Sequence, residues 1–461
     1  GISATSTPVS KSIPVGSAVQ FNAGATAYAK VAFDPNTPNK FVVAYADNGG
    51  GYNGRAVVGT VSGTSISFGS EITFVAASTT YVTIAFDPNT AGKFVVAYYS
   101  SPYGFARVGT VSGTSISFGT AAIFNWAVST HCSISFDPNT ANNFVIAYRD
   151  EGNSNYGTAI QGEIVSGTSL QFGTEHVFNS ANTDKIIVSF DTNTTGKFVV
   201  VYSDRGNSRY GTACVGTLSG TTLSFGSEVV FNAALTDFIG ASFDPNTANR
   251  FVVTYDDEGN SGHGTAILGT VSGTSISFGS ESVFSSSSYS FNTNMSFDPN
   301  TANKFVVVYK DYGNSSYGTA CVGTISGTSI SFGSESVFNS ANTQPNGVAF
   351  AIDPTNAGKF VVTYPNASNY GRVILGQIAS ATTTQTTNLT STNLIGIAAE
   401  AASSGATAKI NTWGGINEAQ SSLTIASDYY VQTDGTITTA TGGQKVGQAI
   451  SATTINMRNQ P

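Results

Sequence analysis

Five short loops in this sequence each bring an acid, a glycine and, in most, an amide, a hydroxyl and a ring within eight residues: DNGGGYNG at Asp47, DEGNSNYG at Asp150, DRGNSRYG at Asp204, DEGNSGHG at Asp257 and DYGNSSYG at Asp311. A carboxylate beside amide and hydroxyl groups can hydrogen-bond sugar hydroxyls while a Tyr ring packs on the sugar face, and the same oxygens can be offered to Ca²⁺. The candidate ligand-binding residues are therefore Asp47, Asp150, Asn153, Tyr156, Asp204, Asn207, Tyr210, Asp257, Asn260, Asp311, Asn314 and Tyr317. A calcium site wants several carboxylates, and each loop supplies one or two. The plain alternative is a turn, which Asp and Gly close while the Tyr fills a gap in the packing.

Catalysis finds less to work with. His131, His176 and His263 stand far apart without a partnered Ser or Cys motif, and no metal-ligand spacing occurs. The stretch SDRGNSRYG at Ser203 looks faintly like the Asp-box of sialidases, but the Trp of that motif is missing. Adjacent acids such as Asp257 and Glu258 would serve a glycosidase only with a second carboxylate facing them. The expectation is a protein that is not an enzyme and holds no cofactor.

These loops recur because the chain recurs. The stretch FDPNTANKFVV at Phe297 has close copies at Phe33, Phe86, Phe136, Phe190 and Phe243 and a blurred one at Ile352. Their aspartates, Asp34 to Asp353, are spaced by 53, 50, 54, 53, 54 and 55 residues. Seven copies of a unit near fifty residues imply a repeat architecture.

Repeat 6 shows what one unit builds. Strand A is NTNMSF, ending at Phe297; DPNTANK turns into strand B, KFVVVY; DYGNSSYG turns into strand C, TACVGTIS; SGTS turns into strand D, SISFGSESVF. Asp-Pro-Asn-Thr is turn chemistry and reads only as a corner. Strand B is apolar throughout, as suits a strand covered on both faces, whereas SISF alternates, as suits a half-wetted rim. Glu71, Glu175, Glu228, Glu281 and Glu335 recur on strand D, where a charge discourages edge-to-edge pairing. Four-stranded antiparallel units repeated radially predict an all-β, seven-bladed β-propeller. Repeat 7 lacks a strand D, and VGSAVQFN at Val15 matches the strand D text FGSEVVFN, so the N-terminal strand is expected to close the ring. In that order the B–C turns and the D–A linkers share one face, and it is the face whose text varies from repeat to repeat.

The predicted organisation is an N-terminal extension (1–14), the propeller (15–380), a linker (381–393) and a small all-β C-terminal domain (394–461) with a hairpin at Asp434-Gly435 and with Trp413 as a core residue, or less simply a docking contact. A net charge of −8 with no basic cluster argues against nucleic acid. No apolar run nears the roughly 20 residues that span a bilayer, so no membrane insertion is expected. Cys132, Cys214 and Cys321 read as small core residues, the last two on separate blades too far apart to bridge. Gly1 opens the sequence without Met, as expected of an end that is processed, truncated or engineered.

The texts LIGIAAEAASSGATAKINTWGG, LTIASDYYVQTDGTI and KVGQAISATTINM, over roughly the last 75 residues, resemble a C-terminal module of virion structural and tail-fibre-like proteins of marine bacteriophages. The resemblance implies a virion appendage or surface protein on the particle exterior, with partners among other virion proteins and host-surface glycans or proteins. It carries no catalytic residues. Three roles stay open: a receptor-binding protein anchored or oligomerised by its C-terminal module, a purely structural fibre or capsid-decorating subunit, and, less favoured, a glycan-cleaving enzyme. Weak repeated sites are useful when many copies are displayed, so a homo-oligomer is expected.

Overall fold

The computed structural model describes residues 13–285, 289–344 and 347–378, and, towards the C-terminus, 397–398, 410–411, 416–418, 420–431, 437–441 and 444–457. The chain divides into two compact units, Gly1–Ser380 and Ala381–Pro461. Strands and three short 3-10 turns are the regular elements among the described residues.

In the first unit each repeat is an antiparallel sheet in the order A, B, C, D. In repeat 4, strand B is Lys197–Asp204 and strand C is Tyr210–Ser219, paired from Lys197↔Thr217 to Asp204↔Tyr210. Strand D comes in two pieces on the same neighbour: Thr222–Phe225 pairs with the far half of strand C, and the segment from Val229 pairs with its near half. Two of the linkers between repeats are continuous extended strand rather than loop. Ser169–Phe190 is strand D of repeat 3 and strand A of repeat 4, and Val229–Phe243 does the same for repeats 4 and 5. Val19–Phe33 follows this pattern across the two ends of the array. It pairs with strand C of repeat 7 through Val19↔Val373 and Asn22↔Gly371, and with strand B of repeat 1 through Lys30↔Ala44. Residues 13 and 14, expected in an extension, belong to this join: Ile13 is buried beside Val306 and Phe360, and the Pro14 carbonyl accepts from the Gln377 amide.

Strand B is buried on both faces, as its unbroken apolar text requires; Phe198 to Tyr202 are fully buried. The core lies between neighbouring sheets. Val145 and Ala147 of repeat 3 pack with Val188, Phe198 and Val200 of repeat 4, and Phe41 and Val43 of repeat 1 pack with Val361 and Val373 of repeat 7. A glycine on strand C admits the Phe of strand B: a Cβ at Gly216 would fall inside the Phe198 ring.

The DPNT corner does more than turn. Asp Oδ1 accepts the amide two residues on, 2.9 Å at Asp34, Asp87, Asp191 and Asp244, as an Asx turn should. The other oxygen reaches the next repeat: Gly92 N–H donates to Asp34 Oδ2 and Asn249 N–H to Asp191 Oδ2, each at 2.9 Å. The corner Asn also crosses over, Asn36 Nδ2 donating to the Pro88 carbonyl at 3.0 Å and Asn300 Nδ2 to the Pro354 carbonyl at 3.1 Å. Asn356 of repeat 7 donates to Asn39 Oδ1 of repeat 1 at 3.3 Å. The repeated motif is therefore a seam between repeats as well as a corner.

The strand D glutamates serve a different purpose from edge protection. Each accepts the hydroxyl proton of the buried Tyr on strand B: Tyr148 to Glu175 at 2.8 Å, and Tyr202 to Glu228, Tyr255 to Glu281 and Tyr309 to Glu335 at 2.7 Å, with Tyr45 to Glu71 alike. A tyrosine so deep needs a partner for its hydroxyl, and the Glu supplies one. Cys214 and Cys321 are buried in the core, but Cys132 is only half-buried, and all three are free thiols.

In the second unit every described element is a strand, in one sheet ordered Ile416–Asn417, Ile455–Asn456, Gln444–Ala449, Asp428–Val431, Ile437–Thr438 and a separate pair, Ile397–Ala398 with Ile410–Asn411. Tyr429, Val431, Val446, Ala449, Ile455 and Met457 form its core. Tyr430↔Thr438 and Val431↔Ile437 flank the expected hairpin, whose turn at Asp434-Gly435 lies outside the described residues, as does Trp413.

Candidate functional site

The B–C loops are built from the end of the preceding strand D. There an Asn side chain donates to a Thr or Ser hydroxyl four residues on and to the loop Asp: Asn125 to Ser129 and Asp150 at 3.1 Å, Asn179 to Thr183 and Asp204 at 3.1 Å, Asn232 to Thr236 at 3.1 Å and to Asp257 at 2.9 Å. The same Asp Oδ1 accepts the amide of the loop Gly, as Gly152 to Asp150 and Gly206 to Asp204 at 2.9 Å and Gly259 to Asp257 at 3.0 Å; at Asp311 the donor is the Asn314 amide, at 3.1 Å. Asp47 pairs with Arg55 at 3.0 Å. All five aspartates are buried.

The predicted site residues thus divide into two kinds. The aspartates face inward and hold the loops, while Asn153, Asn207, Asn260 and Asn314 are exposed at the tips and Tyr156, Tyr210 and Tyr317 are half-buried beside them. Among the described residues no group of three His, Cys, Asp or Glu is gathered that could hold a metal ion. The five sets stay one to a repeat.

Exposed aromatic rings mark this face further. Tyr52, Tyr312 and Tyr370 lie in B–C loops, and Trp126 and Tyr289 lie in D–A linkers; these are the exposed aromatics of the described residues, and none is at an A–B or C–D turn. Trp126 is 72% exposed, braced edge-on by Tyr103 at 5.0 Å, and Tyr312, 55% exposed, sits edge-on to Phe291 at 5.8 Å. The sequence reading missed Trp126, whose signal is a large ring in a linker of small residues, FNWAVST.

What converges is a column on strand A. Five residues before the Phe or Ile of each FDPNT copy stand Tyr28, Tyr81, His131, Lys185, Phe238, Asn292 and Gly347. The first six have φ between 48° and 53° or close to it, at a bulge where strands A and B slip register, as between Ala27 and Lys30 or Asp184 and Ile187. All seven line a single cavity of about 360 Å³ together with Lys30, Val82, Cys132, Ile187, Asn294 and others, so every repeat contributes to it. Tyr28 and Tyr81 meet at 5.4 Å, Tyr81 and His131 at 5.2 Å, and the Lys185 ammonium lies 4.6 Å from the Phe238 ring centre.

Charge is layered around this cavity. No carboxylate is among the lining residues; the acids stand behind them. Asp184, buried, is met by His131 Nε2 at 3.4 Å and by the Arg149 and Arg205 guanidiniums. Burial works against its charge, but His131 and the two arginines hold its carboxyl below the ordinary range. Asp237 pairs with Lys185 at 3.0 Å and Arg209 at 3.2 Å. Burial pushes His131 down to about 4, against the pull of Asp184, so its imidazole is neutral at pH 7. Burial also lowers Lys30, whose ammonium has no hydrogen bond or ion pair among the described residues. Burial raises the Cys132 thiol to about 12, which removes it as a nucleophile.

Two solved structures share the architecture at low sequence identity. The BP39L lectin from Burkholderia pseudomallei superposes with a TM-score of 0.59 at 12% identity, over 77% of this chain and 97% of that one. Saccharomyces cerevisiae Sqt1 gives 0.51 at 12% identity, over 80% of this chain and 100% of that one. The fold is all-β and propeller-like. No protein-family model matches the chain, and no curated protein matches it in sequence. In a propeller-like frame the innermost strands are the A strands, which is why their bulge column lines a shared cavity while the B–C loops stay apart.

Proposed function

We propose that the seven repeats are the blades of a closed seven-bladed propeller and that the chain is a non-enzymatic glycan-binding protein. The closed ring is supported by the pairing of Val19–Phe33 with both ends of the array, by the core shared between repeats 1 and 7, and by a cavity to which all seven repeats contribute. Glycan recognition rests on one observation: the exposed rings Tyr52, Trp126, Tyr289, Tyr312 and Tyr370 all lie on the face that also presents the loop asparagines. Rings stack on the C–H faces of sugars while amides bind their hydroxyls, and the loop aspartates keep those groups in place. The likeness to the BP39L lectin supports the same reading.

In this proposal the chain is carried on a bacteriophage particle, with the C-terminal unit anchoring or oligomerising it and the ring facing the host surface. The test is binding of the purified chain to intact candidate host cells and a glycan array, with and without EDTA. Saturable, EDTA-resistant binding that falls at least tenfold in Trp126→Ala and Tyr312→Ala is expected. Loss of binding in EDTA would restore calcium to the loops, and no binding at high concentration would leave a structural subunit.

A further inference from the structure

The bulge column carries a backbone cost in six repeats. A non-glycine residue in the left-handed region is disfavoured by roughly 1–2 kcal/mol, and repeat 7, which has Gly347 at this position, takes φ 154° there instead. Six repeats nevertheless carry a side chain there, and four of the six are rings, imidazole included. Strain of this kind gathers where side chains are needed for contact rather than for folding. All six are half-buried, so their faces border the cavity instead of closing it.

The cavity is a positive site inside an acidic protein. Lys30, Lys185 and neutral His131 line it, no carboxylate does, and the chain as a whole carries −8. Lys185 is already paired with Asp237, which leaves the Lys30 ammonium as the wall cation with no partner among the described residues. A half-buried ammonium without a counter-ion favours an anionic guest over a neutral one. The walls add ring faces on the arc from Tyr28 through Tyr81 to His131, and an amide from Asn294, whose Nδ2 is spent on the Asn292 and Val348 carbonyls. Its Oδ1 is left to accept a hydroxyl proton. A volume of about 360 Å³ suits one sugar ring.

We infer that this cavity seats one carboxylate-bearing sugar residue of the bound glycan, its carboxylate on Lys30 and its ring against Tyr28 and Tyr81. The inference rests on the glycan-binding reading, and it assigns the acidic residue to the cavity and the neutral residues to the outer face. Stacking needs a ring and the ammonium needs a charge, so neither a neutral hexose nor a small carboxylate satisfies both.

The test compares glucuronate, glucose and acetate on the full chain by titration calorimetry at low and physiological salt. Glucuronate is expected to bind at least about tenfold more tightly than either of the others, the scale of one charged hydrogen bond. Lys30→Met, which keeps the length of the side chain, is expected to erase the preference over glucose. Tyr81→Gly is expected to weaken glucuronate severalfold while leaving the melting temperature unchanged or higher, because glycine relieves the left-handed backbone. Equal binding of glucuronate and glucose, equal binding of glucuronate and acetate, or a preference that survives Lys30→Met would each overturn the assignment. The two readings separate on the array: Lys30→Met removes acidic glycans alone, whereas Trp126→Ala and Tyr312→Ala report on the outer face.

Discussion

Asp256 offers a quantitative test of how charge is buried around the inner strands. It lies on strand B of repeat 5, Arg250–Asp257, directly opposite Asp237 on strand A, and is 1% exposed. Neither carboxylate oxygen makes a hydrogen bond of normal geometry. Burial, then Glu258 and Asp237, push its pKa up to about 7 from 3.8, against a smaller opposing pull from the Ser290 amide. Between about pH 4 and pH 7 the folded chain therefore holds a proton that the unfolded chain has released. Stability falls as pH rises through that window, and the full penalty is present above it. The gap between the two values corresponds to roughly 4 kcal/mol. Asp256→Asn matches the neutral acid in shape and never ionises, so it should stabilise the fold by up to about this amount at pH 8 and by little at pH 4. With an unfolding entropy near 0.8 kcal/mol/K for a unit of this size, the variant should melt about 5 °C higher at pH 8. Comparing variant with wild type at each pH by differential scanning calorimetry cancels the titration of His131 and Asp184. An equal shift at pH 4 and pH 8 would refute the reasoning, because the gain would then be unrelated to charge; so would no shift at pH 8.

Two further outcomes follow from the repeated hydrogen bonds. Tyr309→Phe removes the donor to Glu335 and should cost about 1–2 kcal/mol in urea unfolding, whereas Tyr98→Phe in repeat 2, where Ala121 stands in place of the Glu, should cost less than about half of that. Asp204→Ala takes a carboxylate from both the Gly206 amide and Asn179, so it should destabilise by about 2–4 kcal/mol and speed hydrogen exchange at Gly206 well before the surrounding strands open.

Much of the architecture is legible in the text because the same physical demands are written seven times. Unbroken apolar stretches such as KFVVVY mark the strands covered on both faces, and Asp-Pro-Asn-Thr marks the corner. The second oxygen of that Asp was not legible, since its partner is a backbone amide in the next repeat, as with Gly92 and Asp34, and a backbone amide leaves no mark in sequence. The glutamates misled for a related reason: a charge on a rim strand looks like edge protection until the Tyr beneath it is placed. Repeats 2 and 7 keep Tyr98 and Tyr364 without a matching Glu, so the pairing does not stand out when the copies are lined up. The loop aspartates could equally well have pointed outward or inward, because an Asx turn and a ligand use the same atoms. The bulge column was open to view as the position that reads Tyr, Tyr, His, Lys, Phe, Asn, Gly, but nothing in those residues announces a positive φ, which bulky side chains seldom adopt.

That column also explains how a nearly uniform array can hold an asymmetric site. Core packing fixes the buried side chains that lie between sheets, so repeats must agree there; the half-buried side chains on the inner strands border the cavity and differ from repeat to repeat. Repeats 1 to 3 supply rings, repeat 4 an ammonium over the ring of repeat 5, repeat 6 amides, and repeat 7 Gly347 and Val348. A guest entering such a cavity meets stacking surfaces on one arc and hydrogen-bonding groups on another. Unlike repeats make the lining uneven, so orientations of a guest are not equivalent. The same separation holds on the outer face, where the buried aspartates keep the loops alike and Trp126, Tyr289 and Tyr312 make particular repeats unlike the rest. Binding chemistry in this fold is therefore expected wherever a repeat departs from its neighbours at a position the core does not constrain.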